Sequence, residues 1–163
     1  MIRVNKVYNV LLIGLGRIGC TYDINDYSDK LIMSHAKACS LNPSFKLVAG
    51  IDIQPENRAK FSERYLVPSY ESLDKVPIEL YCDLVIIASP TNTHLNLVKS
   101  VLQLPWKPKA ILCEKPVSFS THEVEIINNL SLSKGVQIFV NYIRRPLPET
   151  FKIQELINSS KIN

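Results

Sequence analysis

The stretch Val10–Gly19, VLLIGLGRIG, decides the fold. Val10 to Ile13 are apolar without interruption, and the run ends in three glycines spaced G-x-G-x-x-G: Gly14, Gly16 and Gly19. A strand with no polar side has no face to give to water, so it belongs in a sheet covered on both sides. The chain has five glycines, and three of them fall in this window. After a strand and before a helix the spacing has a mechanical sense. The first glycine allows a tight turn, the second lets backbone approach a pyrophosphate, and the third lets the helix pack on the strand. The helix N-terminus then turns unbonded N–H groups toward phosphate oxygens.

Working outward, apolar runs recur at KLVAGID (Lys46–Asp52), CDLVIIAS (Cys82–Ser89), KAILCEK (Lys109–Lys115) and VQIFVNY (Val136–Tyr142), with a weaker strand near Val67–Tyr70. The segments between them read as helices. PENRAKFSERY (Pro55–Tyr65) starts with a proline, which the first turn of a helix tolerates. TNTHLNLVKSVLQL (Thr91–Leu104) opens on capping residues and sets its leucines and valines on one face. STHEVEIINNLSLSKG (Ser120–Gly135) begins with a Ser-x-x-Glu capping box and stops at glycine. Strand and helix in alternation predict an α/β fold, a doubly wound parallel sheet in three layers.

Composition narrows the function. The 163 residues are 46% apolar and 21% charged, the profile of an ordinary globular domain. A net charge of +4 from scattered lysines and arginines leaves no nucleic-acid footprint. No apolar run reaches membrane-spanning length. The basic start followed by VLLIG superficially suggests a secretory leader, but glycines break the run and no small-residue cleavage site follows, so a cytoplasmic protein is expected. Cys20, Cys39, Cys82 and Cys113 lie far apart with no ligand spacing, which predicts neither a disulfide framework nor a metal site.

Asp52 ends the second strand, where an acid accepts hydrogen bonds from a ribose 2′- and 3′-hydroxyl and repels a 2′-phosphate. NAD is therefore favoured over NADP, with Arg58 in the next helix keeping NADP open. An acid is expected roughly 20 residues beyond the glycines, whereas Asp52 lies 33 beyond Gly19. The excess falls in CTYDINDYSDKLIMS, whose acids Asp23, Asp26 and Asp29 invite a calcium-loop reading. That reading fails, because Ser28 stands where the loop needs glycine and Ser34 where it needs glutamate. The segment is an insertion, Tyr22–Met33, after which Ser34 caps a resumed helix. Hanging near the cofactor, it suggests a substrate lid.

With GLGRIG, ASPTNTH, CEKPVS and NYIRRP in this order, the chain resembles the glucose–fructose oxidoreductase / inositol dehydrogenase (Gfo/Idh/MocA) family over essentially its whole length. The glycine loop is widespread among dehydrogenases, while the Glu-Lys-Pro triplet with the upstream Thr-His is specific. The resemblance implies an N-terminal dinucleotide domain, over residues 1–145, of an oxidoreductase acting on CH–OH groups of sugar, sugar-nucleotide or cyclitol-like substrates. It implies that Gly14, Gly16, Arg17, Ile18 and Gly19 form the pyrophosphate turn and that Asp52 binds the adenosine ribose. Ser89, Pro90, Thr91 and Asn92 would follow the cofactor past the fourth strand, with His94 in the next helix's first turn. Glu114 would border the nicotinamide ribose, and Lys115 would act at the reacting carbon, stabilising the substrate oxygen or moving its proton. By its residues alone, His94 reads as a capping or packing residue, and His35 and His122 read as surface or helix residues. Partial desolvation is expected to tune Lys115 for its work.

Residues 146–163 resemble a crossover helix leading to a substrate domain that the chain does not contain. Two readings follow: the cofactor half of a dehydrogenase, present as a fragment or truncated product, or a stand-alone dinucleotide-binding module without turnover. The first predicts exposed apolar surface where a second domain docks, and hence self-association.

Overall fold

The computed structural model describes residues 6–159; the basic start of the chain and the last four residues of the 146–163 segment lie outside the described residues. Six strands form one parallel sheet in the order β3-β2-β1-β4-β5-β6. They are β1 (Tyr8–Ile13), β2 (Phe45–Ile51), β3 (Ser69–Tyr70), β4 (Leu84–Ile87), β5 (Ala110–Cys113) and β6 (Gln137–Val140). The helices are α1 (His35–Leu41), α2 (Pro55–Tyr65), α3 (His94–Val101), α4 (Thr121–Lys134) and α5 (Pro148–Asn158). The doubly wound sheet read from the sequence is present, down to the short third strand. After β3 the chain returns to the other side of β1, which leaves a crevice between the carboxyl ends of β1 and β4 where loops diverge.

Alternate side chains of a strand go to opposite faces, so each central strand builds two cores. Leu11 and Ile13 of β1 pack with Val98 and Val101 of α3 and Ile127 of α4. Val10 and Leu12 pack with Ala36 and Cys39 of α1 and Phe61 of α2 on the other face. These residues are all 5% exposed or less, so the uninterrupted apolar pattern of β1 is used on both sides.

Local details depart from the sequence expectation in two places. Ser120 does not close a capping box, because Glu123 bonds the Ser118 hydroxyl instead and that hydroxyl accepts the Ser120 N–H. Likewise the segment predicted as helix from Thr91 starts with a single 3₁₀ turn, Thr91–Thr93, and α3 proper begins at His94. No helix among the described residues is long and apolar enough to cross a membrane.

Candidate functional site

The three glycines of the first turn do three different jobs. Gly14 has φ +90°, and a Cβ there would lie 2.6 Å from the Ala88 carbonyl carbon at the end of β4. A Cβ on Gly19 would lie 1.8 Å from the Gly14 carbonyl oxygen. Both positions are therefore closed to any side chain. Around Gly16 there is nothing within 4 Å of where a Cβ would stand. That glycine opens onto free space, and the N–H groups of Gly16, Arg17, Ile18 and Gly19 donate to no acceptor among the described residues. An open backbone with unbonded donors at the start of a helical turn fits the pyrophosphate of a dinucleotide. Arg17 and Ile18 are exposed beside it, and the Arg17 guanidinium lies 4.8 Å over the Tyr22 ring.

Asp52 is tied to this turn, since its Oδ2 accepts the Leu15 N–H at 2.7 Å. Oδ2 also accepts from Asn57 Nδ2 at 3.2 Å, while Oδ1 accepts only the Gln54 N–H at 2.8 Å among the described residues, which leaves acceptor capacity on Oδ1. Arg58, the residue that kept NADP open, gives one of its terminal nitrogens to the carbonyls of Asp52 and Ile53, at 2.8 and 3.1 Å. Gly14, Asp52, Ser72, Ser89, Pro90 and Leu97 help line a cavity of about 280 Å³ in the crevice. A larger concavity of about 910 Å³ lies away from it, between the end of β6 and α5, lined by apolar residues such as Tyr142, Phe151 and Ile157.

Beyond β4, the Ser89 hydroxyl pairs with that of Thr93 at 2.7 Å, and Pro90 and Asn92 are exposed at the rim with Thr91 half-buried. His94 is 1% exposed. Its Nε2 lies 2.9 Å from the Ser89 carbonyl and its Nδ1 3.2 Å from the Val117 carbonyl. The ring is buried with both nitrogens facing backbone carbonyls, so it staples the turn after β4 to the turn after β5.

At the end of β5 stands Glu114, its side chain 12% exposed. Oε1 accepts from Asn141 Nδ2 at 2.6 Å and lies 2.9 Å from His35 Nε2, while Oε2 accepts the Lys115 N–H at 3.2 Å. Burial works against the carboxylate's charge, but the hydrogen bonds from His35 and Asn141 outweigh it and hold the carboxyl below the ordinary range. Lys115 follows across a cis bond to Pro116 and is exposed. The partial desolvation expected for it is not supplied by the described residues.

His35, read from the sequence as a surface or helix residue, is the first residue of α1 and brings its ring to Glu114, whereas His122 is exposed on α4. The insertion explains how His35 gets there. Its N–H bonds the Ile18 carbonyl and the Ala36 N–H bonds the Gly19 carbonyl. Each pair is 17 residues apart, where a helix has 4, so the helix resumes in register after a surplus of 13 residues. That excess equals the surplus counted between Gly19 and Asp52. Had the surplus been subtracted, His35 would have fallen in the second turn of the glycine-loop helix, four residues beyond Ile18. Rather than hanging loose, the excursion is closed at its neck by buried Asp23, which accepts the Met33 and Ser34 N–H groups at 2.6 and 3.1 Å. Ser34 caps α1 through the Lys37 N–H at 3.3 Å, as the sequence indicated.

Burial pushes the Cys39 thiol up to about 11 and those of Cys20, Cys82 and Cys113 up to about 12, so none is poised as a nucleophile. Among the described residues no three acidic, histidine or cysteine side chains are grouped to hold a metal ion.

Comparison with known proteins places this geometry. Residues 8–142 match the family model described as an oxidoreductase family with an NAD-binding Rossmann fold. Inositol 2-dehydrogenase of Rhizobium meliloti is 27% identical over 93% of this chain and 41% of its own length. The uncharacterized oxidoreductase YrbE of Bacillus subtilis is 30% identical over 93% of this chain and 40% of its own. The fold is shared with apo scyllo-inositol dehydrogenase from Lactobacillus casei, with a TM-score of 0.78 at 20% identity over 98% of this chain and 43% of that one. The chain thus spans about 41% of the length of the first of these curated relatives. It belongs to the Gfo/Idh/MocA oxidoreductase family, of which it carries the N-terminal NAD-binding Rossmann domain.

Proposed function

We propose that this chain is the cofactor half of an NAD-dependent dehydrogenase acting on the CH–OH group of a sugar- or cyclitol-like substrate. The observation that carries the reading is the division of labour in the glycine turn: Gly14 and Gly19 are locked in place while Gly16 opens, with free N–H donors, beside Asp52. In this reading Gly16 to Gly19 hold the pyrophosphate, Asp52 receives the ribose hydroxyls, and Ser89 to Asn92 form the far rim. The nicotinamide, when bound, supplies the hydride acceptor. Glu114 is a bracket for the nicotinamide end, held by Asn141 and His35. Lys115, exposed at the carboxyl end of β5, offers its ammonium to the substrate oxygen, where it stabilises developing negative charge or takes part in moving the proton.

NAD is preferred because the Asp52 carboxylate repels a 2′-phosphate and Arg58 is turned to backbone carbonyls. Residues 146–159, with Phe151, Ile153 and Ile157 all more than half exposed, form the crossover toward a substrate domain that seats on that apolar surface. A second reading, dinucleotide binding without turnover, is favoured by the exposure of Lys115, since a catalytic lysine needs a covered site.

The test is a fluorescence titration with NADH and NADPH in parallel. Saturable binding that prefers NADH is expected, and Asp52→Ala should narrow the preference by about tenfold, ~1.4 kcal/mol. Binding of neither nucleotide removes the enzyme label from this chain. Tighter binding of NADPH overturns the role given to Asp52. Turnover of an inositol or sugar by the chain alone would exclude the second reading.

A further inference from the structure

Glu114 joins three strand ends through one carboxylate. His35, whose backbone bonds the pyrophosphate turn at Ile18, reaches Oε1 from the β1 side. Asn141 reaches the same oxygen from the end of β6, and the Lys115 N–H reaches the other oxygen from the end of β5. His35 is therefore the one side chain in this group that belongs to the element following the glycines. Its own position is fixed from both directions, by the helical register to Ile18 and Gly19 and by the Asp23 bonds that close the excursion just before it.

We infer that His35 is a positioning residue for the nicotinamide end, which holds the Glu-Lys-Pro turn at a set distance from the pyrophosphate turn. The inference rests on the dinucleotide reading above, and it assigns the excursion Tyr22–Met33 a role as a strap closed by Asp23 instead of a mobile lid. A ligand that spans both turns then depends on His35, whereas one that touches only the pyrophosphate turn and the Asp52 side does not.

The experiment compares NADH, which spans both, with ADP, which does not. Loss of one hydrogen bond to a charged group in His35→Ala should weaken NADH about tenfold and leave ADP binding within twofold of wild type. His35→Gln, which keeps an N–H directed toward Glu114, should recover most of the NADH affinity. If His35→Ala does not fold, as judged by circular dichroism, His35→Phe fills the ring's space without the donor and is read in its place. Equal weakening of NADH and ADP, or no change in either, overturns the positioning role. Wild-type protein that binds neither ligand overturns the dinucleotide reading itself, and this role with it. That outcome is told apart because the fault then lies in the unaltered chain.

Discussion

β1 and β6 belong to one sheet and meet opposite surroundings. From Val10 to Ile13, β1 is buried on both faces, and it ends in a turn so crowded that two of its three glycines admit no Cβ. β6 alternates exposed and half-buried residues, with Phe139 53% exposed, and α5 beyond it has no buried residue at all. The contrast tracks the two halves of the proposed chemistry. The elements that hold a dinucleotide are finished within this chain, packed on both sides and pinned by backbone geometry. The elements on the substrate side end in apolar surface, with an exposed lysine at their border.

The largest expected effect lies inside the crowded end. Gly19→Ala would bring a methyl within 1.8 Å of a backbone carbonyl that has no room to withdraw. The cost should be about 3 kcal/mol or more, read as a shifted or lost unfolding transition in urea. Gly16→Ala meets no atom within 4 Å and should stay within about 1 kcal/mol of wild type, while NADH binding falls as the methyl enters the pyrophosphate's space. If Gly16→Ala destabilises as much as Gly19→Ala, the turn is crowded throughout and Gly16 is no ligand seat.

Next comes the contrast between the strands themselves. Leu11, with no exposed surface, should lose about 2–5 kcal/mol on truncation to alanine. Phe139→Ala removes a larger side chain from β6 and should cost under about 1 kcal/mol, because more than half of that ring already faces solvent. The same substitution should reduce self-association in sedimentation, since it removes part of the apolar surface. A Phe139→Ala penalty approaching that of Leu11→Ala would show that the edge is packed in solution, by a second copy or another chain.

How much of this was legible in the sequence follows from the same contrast. Uninterrupted apolar strands and the glycine spacing are local signals, and they led to the sheet, the turn and Asp52. The insertion was legible as a count, because the surplus before Asp52 needs no structure to notice. What the count could not show was where the helix resumed. His35 was therefore read only as a surface or helix residue; it does start α1, but nothing local shows that it meets Glu114 across 79 residues of sequence. The capping box failed for a different reason. Ser118 and Ser120 both stand upstream of Glu123, and which hydroxyl the glutamate takes depends on the path of the chain after Pro116. Nor does a resemblance to a family reveal that His94 turns both nitrogens to backbone carbonyls, because a residue that shapes two turns keeps its place in a motif as well as one that touches a ligand.

The smallest predicted effect compares a buried and a half-buried carboxylate at opposite ends of the neighbouring strands β4 and β5. Asp83 sits before β4, taking the Asn9 N–H at 3.0 Å and pairing with Lys109. Glu114 sits after β5, among His35, Asn141 and the Lys115 N–H. Burial opposes the charge of both, and in both the hydrogen bonds prevail and hold the carboxyl below its ordinary range. As pH falls, the unfolded chain therefore takes up protons first. The stability each group lends is fully present above the ordinary values, ~3.9 for aspartate and ~4.3 for glutamate, and is lost as pH drops through its lower folded value. Asp83→Asn and Glu114→Gln should each flatten the acid limb of a stability–pH curve measured by urea unfolding. Only Glu114→Gln should also weaken NADH, because Asp83 lies at the amino ends of the strands, away from the crevice. If Asp83→Asn weakens NADH equally, the two ends of the strands are coupled, and the separation between structural and ligand-facing carboxylates does not hold.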